Sequence, residues 1–309
     1  MSADEAALFR AEPPCGVILF GRNIRSPAQL AELTAELRRC LPQGAVLMVD
    51  QEGGRVARLR PPHWRAHPPP AALGSLRTSW VTGALIGLDC AAAGFDVVAA
   101  PVLDLGIAGA HAVIGDRALA GDPLAVARLG RALAAGLLAA GVQTIAKHVP
   151  GHGRASVDSH LSLPRVEANH LDADLLPFAL NADLPWAMSA HIVYPAWDTA
   201  LPATLSPTVI ETIIRGRIGF GGVLVTDDLA MKALSGVPAD LARQALTAGC
   251  DVALYCSGEF APTADLLACC PPLSGAAVER LAAARALAAR RRLPLDADDL
   301  AAERDRLLV

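Results

Sequence analysis

The segment 147–164, KHVPGHGRASVDSHLSLP, gathers His148, His152 and His160, three of the chain's eight histidines, beside Lys147 and Asp158. Asp158 and His160 stand two apart, so in an extended segment both side chains can face one way. A carboxylate then holds the imidazole and raises its pKa, which suits a general acid near neutral pH. The same two residues can also form a solvated surface pair. His148 and His152 are four apart, a metal-binding spacing on a helix. Pro150 and Gly151 between them prevent a helix, so no metal is expected. Asp227 and Asp228 follow the apolar run GGVLVT. A carboxylate there can cap a helix or act as a nucleophile. Two in a row permit both, with Asp227 facing a site and Asp228 serving the turn. Asp50, in the run DQEGGR, can accept hydrogen bonds from two hydroxyls of a polyol ligand, and Arg117 and Lys147 add cationic donors that suit hydroxyl, phosphate or carboxylate oxygens. These residue types point to a hydrolase or to a polar-ligand binder and do not decide between them.

Side chains so far apart in sequence need a scaffold that brings them together. Apolar stretches at 16–20, 46–50, 96–100, 142–146, 185–189, 222–226 and 251–255 read as strands. Helical stretches lie between them near 27–40, 75–93, 123–140, 171–181, 207–215 and 239–248. Strands that are apolar throughout and alternate with helices indicate a parallel sheet covered on both faces. Ser26-Pro27, Asp122-Pro123 and Ser206-Pro207 read as helix starts, a capping residue followed by proline in the first turn. Polar residues gather just after the strands: Asp50-Gln51-Glu52, Asp104, Lys147-His148, His191 and Asp227-Asp228. Chemistry after at least five strand ends favours a TIM-type (β/α)8 barrel over a doubly wound sheet, which would use mainly its switch point. Seven strands are found, and helix Ala3–Ala11 has no strand before it. The expected fold is therefore an α/β barrel lacking its first β-strand at the N-terminus. Residues 1–309 are expected to form one barrel domain, with C-terminal helices over about 262–309 packed outside it.

A chain of 309 residues suits one large barrel or two ordinary domains, and 53% hydrophobic content suffices for a sizeable core. A net charge of −4 argues against a nucleic-acid partner. The basic run Arg290-Arg291-Arg292 ends an Ala-rich helix, where cations suit the helix dipole. No apolar run reaches the ~20 residues of a membrane span, and the polar N-terminus is unlike a signal peptide. Seven cysteines, most in apolar context, read as reduced thiols in a cytoplasmic protein. The adjacent Cys269 and Cys270 have no CxxC partner that would suggest zinc.

Six pieces, GVILFGRNI, VDQEGGRVARL, GDRALAGDP, KHVPGHGRASVDSHLSLP, MSAHIVYP and GFGGVLVTDDLAM, together resemble the family-3 glycoside hydrolases, in particular their single-domain bacterial β-N-acetylglucosaminidases. They occur in the family's order and cover most of the chain from Gly16 to about Gly258. The linked pair KH-x-PGHG…DSH and TDDLAM is the specific part. The resemblance implies Asp227 as catalytic nucleophile, His160 as general acid/base and Asp158 as its partner. It implies that Asp50, Arg117, Lys147 and His148 hold the terminal N-acetylglucosamine. It further implies a retaining exo-glycosidase acting on cell-wall fragments during peptidoglycan recycling, with no metal or organic cofactor. The partner is then a small carbohydrate, and oligomeric state is left open. Alternatives are a broader family-3 β-glycosidase or phosphorylase, and an inactive barrel that binds muropeptide-like sugars. Two departures from the family pattern stand out: the absent first strand, and Arg154 where many members carry an aspartate after GHG.

Overall fold

The computed structural model describes residues 1–109, 112–155, 157–159, 161–167 and 170–308. Each of the seven apolar stretches contains a strand: β1 (Gly16–Leu19), β2 (Val46–Val49), β3 (Val97–Val98), β4 (Gln143–Val149), β5 (Trp186–Ser189), β6 (Val223–Asp228) and β7 (Val252–Leu254). They form one sheet in the order β1 to β7, and every neighbouring pair is parallel. The helices are α1 (Ala3–Ala11), α2 (Pro27–Cys40), α3 (Leu76–Ala92), α4 (Pro123–Ala139), α5 (Asp172–Ala179), a π-helix (Val209–Arg217), α6 (Pro238–Ala248), α7 (Phe260–Cys269), α8 (Gly275–Arg291) and α9 (Ala297–Leu307).

The caps read from sequence are formed. Ser26 Oγ accepts from the Gln29 amide, Asp122 Oδ1 from Ala125, and Ser206 Oγ from Val209. Each satisfies an N–H that the first helical turn leaves without an intrahelical partner. Two strands extend further than the apolar runs suggest. β4 continues through Lys147 and His148, and β6 through Asp227 and Asp228, so the polar residues expected in loops are partly in the strands themselves.

Alternation along the strands separates two cores. Val46, Met48, Val97, Ile145, Trp186, Met188, Val223 and Val225 point to the inner face and make one buried cluster with Leu281 and Ala284 of α8. Leu47, Val49 and Val98 point outward onto Leu30, Leu37, Ile86 and Leu133 of α2, α3 and α4. Ala187 and Leu224 do the same against Leu175, Phe178, Ile210 and Leu241. One inner cluster spanning strands from β2 to β6 requires a curled sheet, a half-barrel. α8 lies across the N-terminal ends of the strands, where Arg280 pairs with Asp251 at 2.6 Å and Arg285 donates to the Gly44 carbonyl. On the outside, α3 and α4 pack unusually close. A Cβ on Gly83 would lie 2.2 Å from the Leu133 carbonyl oxygen, so only glycine permits this approach.

The half-barrel has two edges. β2, β4 and β5 are buried along their whole length, whereas all of β7 and Gly16 to Ile18 of β1 are half-buried. Ile18, Val252 and Leu254 therefore sit at the margin of the inner core. Between the two edges runs a groove of about 700 Å³, bordered by Ile18, Leu254, Phe9 of α1 and Phe260 of α7. The Arg22 guanidinium crosses it at one end, donating to the Cys256 carbonyl at 2.8 Å. Among the described residues no strand occupies this position, which is where the sequence places the gap.

Candidate active site

The C-terminal strand ends surround a cavity of about 500 Å³. Asp50 follows β2, Lys147 and His148 belong to β4, and Asp227 belongs to β6. These four, together with Arg117 and Asp158, all line that one cavity. His160 lies outside the described residues.

Two consecutive residues of a strand normally face opposite ways. The β4–β5 register shifts between Lys147 and Val149, and this irregularity lets both Lys147 and His148 border the cavity. Lys147 Nζ donates to Asp50 Oδ1 at 3.0 Å and pairs with Glu52 Oε1 at 2.6 Å. Arg117 grips Glu52 with a two-point contact, Nε to Oε2 at 2.8 Å and Nη2 to Oε1 at 2.9 Å. Arg58 Nη2 donates to Asp50 Oδ2 at 3.1 Å. The result is an alternating array, Arg58–Asp50–Lys147–Glu52–Arg117. Burial alone would push Glu52 up, but Lys147 and Arg117 overcome it and hold its carboxyl down at about 2. Burial likewise opposes the charge on Lys147, and Asp50 and Glu52 override it and raise its pKa. Glu52, Lys147 and Arg117 therefore stay ionised at neutral pH, and the whole array is a fixed set of donors and acceptors facing the cavity.

The turn after Glu52 is a packing requirement. Gly53 has φ +102°, and a Cβ there would meet the Pro68 carbonyl oxygen at 2.2 Å. Only glycine lets the chain reverse there and leave Glu52 pointing inward. Gln51 secures the return, its Oε1 accepting from the Arg58 and Leu59 amides at 2.7 and 3.0 Å.

A second buried carboxylate organises the histidines. Asp104, fully buried after β3, accepts from the His148 amide, from the His152 amide at 2.6 Å, and from His148 Nδ1 at 2.6 Å. Burial works against its charge, but His148 and His152 lower its pKa. A carboxylate only accepts, so His148 Nδ1 carries a proton, and Nε2 faces Asp227 Oδ2 at 4.0 Å. His152 is buried and pushed down to about 4, chiefly by that burial and then by His148. Its Nε2 meets Ser159 Oγ at 3.1 Å, and the Ser159 carbonyl accepts from the Ala233 amide at 3.1 Å. The residue beside Asp158 is thus tied both to the PGHG loop and to the segment after β6. Arg154 is also paired, through Nε, with Asp174 Oδ2 of α5 at 2.7 Å.

The two aspartates of β6 differ. Asp227 Oδ1 accepts from the Asp228 amide at 2.8 Å, which leaves Oδ2 toward His148. Burial would raise its pKa, but His148 and His191 lower it below the ordinary carboxylate value. Asp228 Oδ1 accepts from the Ala230 and Cys256 amides at 2.8 and 2.9 Å and so braces the turn against β7. Burial raises its pKa.

Glu52 and Asp104 stood among the polar residues after strands, but nothing in their spacing marked them as organisers. Arg58 was missed altogether. It lies eight residues beyond Asp50 and returns to it only because the loop folds back. Among the described residues no group of three or more His, Cys, Asp or Glu side chains is placed to hold a metal ion.

A parallel half-barrel with ionised carboxylates, imidazoles and a fixed cation–carboxylate array at its C-terminal rim is the architecture of a polar-substrate hydrolase. The model of the glycosyl hydrolase family 3 N-terminal domain matches residues 1–282, and the chain belongs to that family of glycoside hydrolases. A beta-hexosaminidase of Aromatoleum aromaticum is 40% identical over 259 residues, covering 78% of this chain and 72% of that one. The beta-hexosaminidase of Thiobacillus denitrificans is 42% identical over 258 residues, covering 78% and 71%. Among solved structures, NagZ from Neisseria gonorrhoeae in complex with N-trifluoroacetyl-D-glucosamine superposes with a TM-score of 0.87 at 31% identity, over 100% of this chain and 95% of that one.

Proposed function

We propose that the protein is a retaining exo-β-N-acetylglucosaminidase that releases terminal, non-reducing β-linked N-acetylglucosamine from peptidoglycan fragments in the cytoplasm. The observation that carries the reading is Asp227. It is an ionised carboxylate with one oxygen held by the Asp228 amide and the other turned into the cavity, opposite the Asp50–Lys147–Glu52–Arg117 array. In this reading Asp50, Arg117, Lys147 and His148 hold the terminal sugar, and Arg58 joins them through Asp50. In the first step Asp227 attacks the anomeric carbon while His160 protonates the leaving oxygen, with Asp158 as partner of the imidazole. The bond to the leaving group breaks and a covalent glycosyl-enzyme forms. In the second step neutral His160 takes a proton from water, the water oxygen attacks the anomeric carbon, and Asp227 departs with configuration retained. No metal or organic cofactor enters either step. The names of the similar proteins and the N-trifluoroacetyl-D-glucosamine bound to one of them support the choice of sugar.

The fold reading goes with it: residues 1–309 form one catalytic (β/α)8-type barrel in which the first strand's place, between β7 and β1, is open; of the C-terminal helices expected outside the barrel, α8 instead closes its N-terminal end with Leu281 and Ala284. No helix among the described residues is long and apolar enough to cross a membrane. A second reading rests on the open groove beside β1: a barrel that binds muropeptide-like sugars without turnover. Assay with an aryl β-N-acetylglucosaminide and an aryl β-glucoside, each with and without phosphate, separates the possibilities. Phosphate-independent hydrolysis confined to the first substrate is expected. Turnover that needs phosphate would make the protein a phosphorylase. A preference for the glucoside would make it a broader β-glycosidase, and binding without turnover would leave the sugar binder.

A further inference from the structure

His191 follows β5 and has no solvent exposure. Both of its ring nitrogens are engaged: Nδ1 lies 2.8 Å from Thr204 Oγ1, and Nε2 lies 3.0 Å from the backbone oxygen of Asp228. A carbonyl oxygen can only accept, so Nε2 carries a proton. Burial lowers the pKa of this imidazole, and the nearby Asp227 and Asp228, which act the other way, do not overcome it. The ring is therefore neutral, with Nδ1 bare. Thr204 supplies the hydrogen bond that Nδ1 then accepts. The Thr204 hydroxyl has a rival acceptor in the Ala190 carbonyl at 3.0 Å, but the Nδ1 contact is shorter. Ser189 Oγ, 2.8 Å from Thr204 Oγ1, completes the chain. The Asp228 carbonyl thus fixes the tautomer of His191, and the buried Ser189–Thr204 pair accommodates it.

That tautomer bears on Asp227. The Asp228 carbonyl is held by His191 together with the Met231 amide at 3.0 Å, and the Asp228 amide holds Oδ1 of Asp227. The Asp228 carboxylate is fixed separately by the Ala230 and Cys256 amides. Asp227 Oδ2 is the oxygen left facing His148. We propose that His191 is a positioning residue for this reaction: through its Nε2–H it fixes the Asp228 residue, so that Asp227 is held by one oxygen and attacks with the other. A neutral donor does this without placing an added cation against the nucleophile, which would pair with it and blunt its attack. The proposal rests on Asp227 being the nucleophile.

Histidine and its two amide isosteres separate this role from packing. The side-chain nitrogen of glutamine reaches about where Nε2 sits, and that of asparagine stops near Nδ1. His191→Gln keeps a donor for the Asp228 carbonyl, and His191→Asn loses it. With an aryl β-N-acetylglucosaminide, His191→Asn is expected to lower kcat about tenfold to a hundredfold, the scale of a slightly misplaced reacting group, with KM within about twofold. His191→Gln should recover most of kcat at a melting temperature close to that of the Asn variant. Glutamine does not titrate, so its kcat–pH profile should overlay the wild type around the ordinary histidine pKa of about 6.5. Thr204→Val, which leaves Nδ1 without its hydrogen bond, should give an intermediate loss. Gln no better than Asn at matched stability would overturn the proposal. So would a loss confined to KM, or a wild-type pH limb absent from the Gln variant. Asp227→Ala in the same assay isolates the underlying reading: if it turns over normally the nucleophile assignment falls, whereas an inactive Asp227→Ala beside equal Gln and Asn variants refutes only the role of His191.

Discussion

Glu52→Gln is expected to weaken the fold strongly, with an effect that fades in acid. Glu52 is 1% exposed and receives two hydrogen bonds from Arg117 and an ion pair from Lys147. Glutamine has nearly the same shape but removes the charge, leaving two buried cations without the carboxylate they share, though Asp50 and Asp104 stay near them. Removing one partner of a buried pair costs about 3–5 kcal/mol. The depressed pKa supplies an independent figure. Its fall from 4.5 to about 2, at about 1.4 kcal/mol per unit, corresponds to about 3 kcal/mol. Because the folded-state value is the lower one, this contribution is complete above 4.5 and is lost as pH falls from there toward 2. Urea unfolding of both proteins near pH 7 should therefore give a gap of about 3–5 kcal/mol, or roughly 5–8 °C in melting temperature for a chain of this size. Near pH 3.5 the gap should narrow clearly, because the wild-type carboxylate is losing its advantage. A gap below about 1 kcal/mol near neutral pH, or one of constant size down to that acidity, would refute the reasoning.

Asp227→Ala should lose several orders of magnitude in kcat, while Asp228→Asn should act more mildly through the turn it braces; the reverse order in steady-state kinetics would exchange the two roles. A 2-fluoro-type glycosyl inhibitor should label the peptide containing Asp227, read by mass spectrometry, and a label elsewhere would contradict the assignment. His160→Ala should slow substrates with poor leaving groups far more than activated aryl substrates, since a good leaving group needs little protonation; equal losses would indicate a role in binding or structure. Fusing a strand that is apolar throughout ahead of Met1, through a linker long enough to reach the groove beside β1, should raise the melting temperature by several degrees relative to a Gly/Ser-rich fusion. An identical melting temperature for the two fusions would show that the groove does not accept a strand.

The apolar runs placed all seven strands, because a parallel strand buried on both faces needs side chains that are apolar throughout. Their limits were less legible. Lys147, His148, Asp227 and Asp228 look like loop residues, yet they continue strands, since their polar side chains reach a cavity and not the packed core. Motif residues announced themselves by type and spacing. Arg58, Glu52 and Asp104 did not, because their importance lies in partners distant along the chain: Asp50 across a folded loop, Arg117 across 65 residues, and the His148 and His152 amides across 44 and 48. The hydrogen-bond chain through Ser189, Thr204 and His191 is equally silent in sequence, since it depends on a tautomer that only the packed neighbourhood selects.

The groove between β1 and β7 also makes the molecule a natural receiver for fragment complementation. The inner core is already assembled from the other strands, and the residues proposed for chemistry sit on β4 and β6 or after β2, β3 and β4, none of them on the edge strands β1 and β7. A short strand supplied as a separate peptide would thus meet a preformed acceptor whose catalytic rim needs little rebuilding. Enzyme output could then report the peptide's presence, with thermal stability acting as the coupling between the two.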